Sequence, residues 1–428
     1  MARAPELVGV AVAHAASCAL TLVLGFDHVS DDDFARVTIA QSFAHAPKLD
    51  PTGTSWLPFP FWALGSAMMA VGRSLEAARA TSIVFASLAV TVLYVALRTV
   101  GITRGRALLG VAFATLSPWS AWLGAATVPE SFTASLTAAA AIGLGGAATS
   151  AGDGLPRARV WWLEVGFALA LFAACLSRYE VWPVAAVLGV VLALRALRSA
   201  PPSARATIAL KRRGLELSVA VLVALAPLLW MAWNSHAHGD ALHFFQRVSR
   251  FKRAIGEGST DTLSALLLYP RLLVGMRPDV LVASLVALVA ARVFVTTSAH
   301  EVRQRWQVPL LCAGAQVAFL AYGNARDGAP AHHSERALLG VVFLMATFAA
   351  DVIGQAAPPA LSRARPAALV VALVLGGAWL ATTTVALREV PGTTSADGRR
   401  PQLLTGRTLR SEHAEHLDLT PSAYEHFA

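Results

Sequence analysis

Four carboxylates, Asp27, Asp31, Asp32 and Asp33, crowd into seven residues directly after the first apolar stretch, in FDHVSDDDFAR. Like charges this close raise one another's affinity for a proton or draw in a cation. Such a cluster can supply a general base, or hold a divalent cation. Part of it has a simpler role. Ser30 followed by Asp33 fits a capping box for a helix over 31–45, and acids in a first turn suit the helix dipole. Capping leaves Asp31 and Asp32 unexplained, and these two are the candidates for catalysis.

Other chemistry-bearing residues recur farther along. Glu130 follows Pro129 in GAATVPESF, where proline and an acid are also ordinary helix-start chemistry. Arg178 and Glu180 lie in SRYEVWP, and His332, His333, Glu335 and Arg336 lie in AHHSER. Arginine presents the fork that suits a phosphate. Adjacent histidines on a helix diverge, which argues against one shared metal ion. Residues 240–255 put Leu242, Phe245, Val248 and Ile255 near one face and Arg247, Arg250 and Arg253 on another, the pattern of a helix lying in a membrane interface.

The elements that position these residues are membrane helices. The 428 residues are 56% hydrophobic and 14% charged, against about 25% charged in a soluble chain. Apolar stretches of 17 to 24 residues recur along the sequence, and each can cross a hydrocarbon core of about 30 Å. They do not alternate with period two, so the class is all-α and polytopic rather than a barrel. Spans are expected at 6–26, 76–98, 105–123, 131–149, 160–177, 181–197, 214–233, 279–298, 306–323, 336–354 and 366–387, eleven in all. With the N-terminus inside, every inner loop is basic: Arg98/Arg104/Arg106, Arg157/Arg159, the run from Arg195 to Arg213, Arg303/Arg305 and Arg363/Arg365. The net charge of +9 is therefore a membrane-topology signal and not one for nucleic acid. Cys18, Cys175 and Cys312 all fall in apolar segments, which gives no disulfide framework and no CxxC metal site.

Two apolar stretches, 57–73 and 262–276, are short and interrupted by proline, and read as helices at the outer surface. The expected organisation is a transmembrane catalytic domain over 1–387, with a first outer loop at 27–75 carrying surface helices 31–45 and 57–73, and an outer loop at 234–278. A short polar tail follows at 388–428. On this path the acids and the arginines of AHHSER and SRYEVWP all meet the outer face, and ionisable groups at a membrane boundary need a partner or a task.

An acidic pair just after the first transmembrane helix, followed by TSWLPFPFW, resembles the GT-C glycosyltransferases, polytopic enzymes that use polyprenyl-phosphate sugars. The similarity is to the bacterial branch related to protein O-mannosyltransferases and lipid A aminoarabinose transferases. It runs through SDDDFARVTIAQSFA, TSWLPFPFW and the region from SLEAARATSIVFASL to ATVPESF, then through LSRYEVWP and AHHSERALLG, most of residues 1 to 340. The resemblance implies a GT-C-like fold with amphipathic juxtamembrane helices on the outer face. Asp31 or Asp32 would act at the acceptor, with Glu130 as the second acid, and Arg178 and Arg336 would meet the donor phosphate. Asp33, Glu180, His332 and His333 would line the substrate site. Members often carry an Asp-containing motif where this chain has only Glu130, which leaves a metal ion open.

The function expected is inverting transfer of a sugar from a lipid-phosphate carrier to an acceptor hydroxyl, on the periplasmic face of a bacterial inner membrane. The partners are the lipid-linked donor, an acceptor and the bilayer. The alternative is a transporter or lipid flippase, against which stands the scarcity of charge at mid-membrane depth.

Overall fold

The computed structural model describes residues 2–26, 28–29, 32–53, 55–150, 157–198, 206–254, 261–293, 299–326 and 334–356. Among them the structure is helical. Helix α1 (Ala4–Val23) leads into α2 (Asp32–His45) and α3 (Phe59–Val71), which pack on each other through Val37, Ala40, Leu64 and Met68. Gly65 permits this approach, since a Cβ there would lie 2.8 Å from the Ala40 carbonyl oxygen. The helices expected over 31–45 and 57–73 are thus α2 and α3.

Helix α4 (Leu75–Thr99) starts at Ser74, whose hydroxyl accepts from the Ala77 N–H. The span expected at 105–123 is two helices, α5 (Arg104–Thr115) and α6 (Pro118–Ala125), bent by 75°. Ser117 caps α6 by accepting the Ser120 N–H at 3.2 Å, and Pro118 fits its first turn while disfavouring continuation of α5. Helices α7 (Glu130–Ser150), α8 (Arg157–Cys175), α9 (Trp182–Arg198) and α10 (Ala206–His238) follow. Next come α11 (His243–Ala254), α12 (Thr262–Met276) and α13 (Pro278–Val293), with α12 and α13 meeting at 94°. Helices α14 (Ala299–Ala325) and α15 (Leu339–Ala356) complete the described bundle, and short 3₁₀ turns at Tyr179–Val181 and Ser334–Leu338 open α9 and α15.

Among the described residues six helical segments are long and apolar enough to cross a bilayer, and up to eight if each bent pair is one span. The protein is a multi-pass membrane protein, with a smaller count among the described residues than the eleven expected. Helix α8 is apolar over only Val160–Cys175, below the length of a full span, and residues 366–387 lie outside the described residues.

Helix α7 is the centre, packed against α4, α8, α14 and α15. Its ESFTASLTAAAAIGLGG sequence is mostly Ala, Gly, Ser and Thr, and Ala138 to Ile142 are fully buried. A Cβ on Gly143 would sit 2.4 Å from Phe167, and one on Gly146 would sit 2.8 Å from Val100. Small residues let backbones approach closely where lipid supplies no hydrophobic drive. From Glu130 to Gly146 the helix rises about 24 Å. The bundle therefore has a Glu130 end and, beside Gly146, an end carrying Asp351.

Candidate active site

Four separate segments meet at the Glu130 end. Asp33, in the first turn of α2, accepts the Val29 N–H at 3.0 Å and the Thr127 N–H at 3.0 Å, and the Thr127 hydroxyl donates to the Asp33 carbonyl at 2.6 Å. These bonds tie the start of α2 to the turn before α7. Consecutive helical residues point about 100° apart, so Asp32 faces elsewhere. Its carboxylate accepts from Arg336 Nη2 at 3.1 Å, and its side chain is 38% exposed.

Glu130 is deeper. Its Oε1 accepts from Arg178 Nη1 at 2.7 Å, and Arg336 Nε stands 3.8 Å away. The side chain is 1% exposed, and Oε2 is buried with no hydrogen-bond partner. Arg178 also donates through Nε to Glu180 at 2.6 Å. Burial weakens the hold of a guanidinium on its proton, yet Glu180 and Glu130 outweigh this and raise the Arg178 pKa above its ordinary value. Below the cluster a small cavity is bounded by Glu130, Thr133, Thr137, Glu180, Gln316 and Arg336.

Asp32, Glu130, Arg178, Glu180 and Arg336, chosen from four loops of the sequence, are thus brought together. Asp33 sits beside them with its carboxylate on backbone N–H groups. Asp31, His332 and His333 lie outside the described residues, as does Asp27.

One member of the site was not foreseen. Arg36, one turn after Asp32, is 3% exposed, and its guanidinium lies over the Trp56 ring at 4.4 Å and 5.5 Å from the Phe61 centroid. Burial lowers its pKa, opposed by the charges of Glu130 and Asp32. Its Nε is buried without a hydrogen-bond partner. The signal was present in the i, i+4 spacing from Asp32, which puts both on one side of a helix.

The chemistry of this arrangement favours an anion. Three guanidiniums converge beside one half-exposed carboxylate, and arginine forks match phosphate oxygens. Among the described residues no three His, Cys, Asp or Glu side chains gather as a metal site. Asp32, Glu130 and Glu180 each face an arginine, whereas Asp33 accepts from backbone N–H groups.

No family model matches the chain, and no curated protein matches its sequence. Solved structures do match its fold. The crystal structure of ArnT from Cupriavidus metallidurans bound to undecaprenyl phosphate superposes with a TM-score of 0.53 at 14% identity, covering 93% of this chain and 68% of that one. An Archaeoglobus fulgidus oligosaccharyltransferase, tethered with an acceptor peptide, aligns with a TM-score of 0.48 at 14% identity over 93% of this chain and 59% of that one. The chain has the GT-C fold of ArnT.

Proposed function

We propose that this protein is a membrane glycosyltransferase that moves a sugar from a polyprenyl-phosphate carrier to an acceptor hydroxyl. The observation that carries the reading is the pairing of half-exposed Asp32 with Arg336, beside Glu130, Arg178 and Arg36 at one end of the bundle. The undecaprenyl phosphate bound to ArnT, a protein of the same fold, points to the same class of donor.

Asp32 takes the proton of the acceptor hydroxyl as general base. The hydroxyl oxygen attacks the anomeric carbon from the face opposite the leaving group, so configuration inverts. The bond from that carbon to the phosphate oxygen breaks, and its electron pair leaves with the lipid phosphate. Arg178, Arg336 and Arg36 face the charge that develops there. Glu130, behind them, holds Arg178 and Arg336 in place, and Asp33 fixes the start of α2 so that Asp32 points at the reacting groups. Asp31 neighbours Asp32 in sequence and is the second candidate base. Glu180 orients Arg178, and His332 and His333 precede Arg336 on the rim.

The reading places this end of the bundle at the periplasmic face of the inner membrane, as the basic loops at the other end favour. A transporter would need charge near mid-depth. The described buried carboxylate–arginine pairs instead gather toward the two ends of the bundle, around Glu130 and around Asp351. The test is transfer of radiolabel from a panel of polyprenyl-phosphate sugars by the protein in liposomes, with and without an envelope extract as acceptor source. Asp32-dependent loss of label from one donor is expected. No transfer from any donor, even with the extract, would return the protein to the transporter class.

A further inference from the structure

We propose that the exposed basic face of α11 docks on anionic phospholipid headgroups, and that this docking holds the aromatic stack beside Arg178 and so sets the activity of the site. The second half rests on the function proposed above; the first does not.

Helix α11 reads HFFQRVSRFKRA, with four basic residues and no acid in twelve. Its inward side is fixed by named contacts. Phe244 stacks on Tyr179 with ring centroids 4.3 Å apart and an interplanar angle of 9°, and meets Trp182 edge-on at 5.1 Å. Ser249, also buried, donates to the Arg326 carbonyl at 3.4 Å. Arg247 and Arg250 are exposed on another side, and the sequence adds Lys252 and Arg253 to the same helix. Asp240, just before the helix, accepts from the Leu242 N–H and from Gln246 Nε2.

Location decides the occupant. Helix α10 is one of the bilayer-crossing helices and runs to His238, and α11 begins at His243. The four residues between reach only about 14 Å, and Phe244 is held on Tyr179 and Trp182, at the start of the apolar span Tyr179–Arg198, so α11 lies at the membrane boundary. A basic helix held there meets the phosphates of anionic lipids, at roughly fivefold in affinity per Lys or Arg. Zwitterionic lipid offers no such gain.

The helix is tied to the site at two points. Tyr179, under Phe244, follows Arg178 directly, and its hydroxyl accepts from Trp230 Nε1 at 3.2 Å. Arg247 Nη1 donates to the Gly53 carbonyl at 2.6 Å, and Gly53 belongs to the loop that presents Trp56 to Arg36. A docked α11 therefore braces both Arg178 and Arg36, while an undocked one releases the stack on Tyr179.

The experiment uses the full chain in nanodiscs of phosphatidylcholine alone or with phosphatidylglycerol added. Two readouts are followed: hydrogen exchange of residues 243–254, and sugar transfer. Phosphatidylglycerol should slow exchange in α11, and the R247Q/R250Q variant should need roughly 25-fold more of it for the same protection. Phe244→Ala should keep the lipid-dependent protection and lose the lipid-dependent gain in transfer. Exchange that ignores phosphatidylglycerol in the wild type, or a double variant that responds like the wild type, overturns the docking. Protection with equal transfer rates in both lipids overturns the coupling. Protection without transfer from any donor leaves the docking established and defeats the glycosyltransferase reading instead.

Discussion

The bundle holds a buried acid between arginines at each end, and the two differ in how completely they are satisfied. Asp351, 1% exposed, accepts from Arg106 Nη1 at 2.8 Å and Gln355 Nε2 at 3.2 Å on one oxygen, and from Arg305 Nη1 at 2.8 Å and Trp306 Nε1 at 2.9 Å on the other. Arg305 Nε goes on to the Val100 carbonyl at 3.0 Å. Every strong acceptor position has its donor, and the result joins α5, α14 and α15. Glu130 has the same burial, yet only one of its oxygens is engaged, and the guanidinium of Arg36 nearby keeps a buried Nε without partner. Buried polar groups are almost always paired, and a half-satisfied network is a poor structural device. The Asp351 end has the form of a clamp, while the Glu130 end leaves hydrogen-bonding capacity unused on Glu130 Oε2 and Arg36 Nε.

This contrast separates catalysis from stability. The largest effect expected is on turnover. Asp32→Asn should lower kcat by about 10²–10⁴-fold, the usual worth of a general base, with folded yield unchanged because Asp32 is half-exposed. A variant that keeps a tenth or more of wild-type turnover moves the base to Asp31. At the other end Asp351→Asn leaves buried Arg305 and half-buried Arg106 without their acid. Removing one partner of such a pair costs about 3–5 kcal/mol, read as a lower melting temperature in detergent for a protein whose surviving folded fraction turns over normally. Normal stability in Asp351→Asn would erase the distinction between the two ends.

Glu130→Gln sharpens the comparison. Arg178 keeps Glu180 and Arg336 keeps Asp32 when the Glu130 charge is removed. The stability loss should be smaller than that of Asp351→Asn, about 1–2 kcal/mol, while donor affinity falls as Arg178 and Arg336 lose their alignment. Equal destabilisation by the two variants would show that Glu130 is as structural as Asp351.

Much of the Glu130 end was legible because apolar spans fix which loops share a face, and basic loops fix the pairing. That logic brought Asp32, Glu130, Arg178, Glu180 and Arg336 from four loops to one place. It failed at finer grain. The run Asp31 to Asp33 has no internal landmark, and only the start of α2 at Asp32 separates the residue bonded to Thr127 from the one bonded to Arg336. The Ser117–Pro118 pair signalled a break that uninterrupted hydropathy concealed. Arg106 and Arg305 read as topology markers, although an acid inside the apolar run over 336–354, Asp351, was reason to look for buried partners. The contact of Arg36 with Trp56 joins residues twenty positions apart, and no periodicity encodes it.

That contact gives the smallest effect, and it belongs only to the Glu130 end. A guanidinium over an indole gains about 0.5–2 kcal/mol, the larger part when both are desolvated. Leucine at position 56 keeps apolar bulk while removing the ring's negative face. Arg36 would still be buried, but its orientation over the site would rest on Phe61 at 5.5 Å alone. Trp56→Leu should therefore raise the KM for the lipid donor about 2- to 30-fold by that energy, with kcat changed less and the melting temperature close to wild type. A drop in melting temperature with KM unchanged would make Arg36 a packing residue and align it with the clamp at Asp351. A change in KM alone would place Arg36 with Arg178 and Arg336 as a third hold on the phosphate.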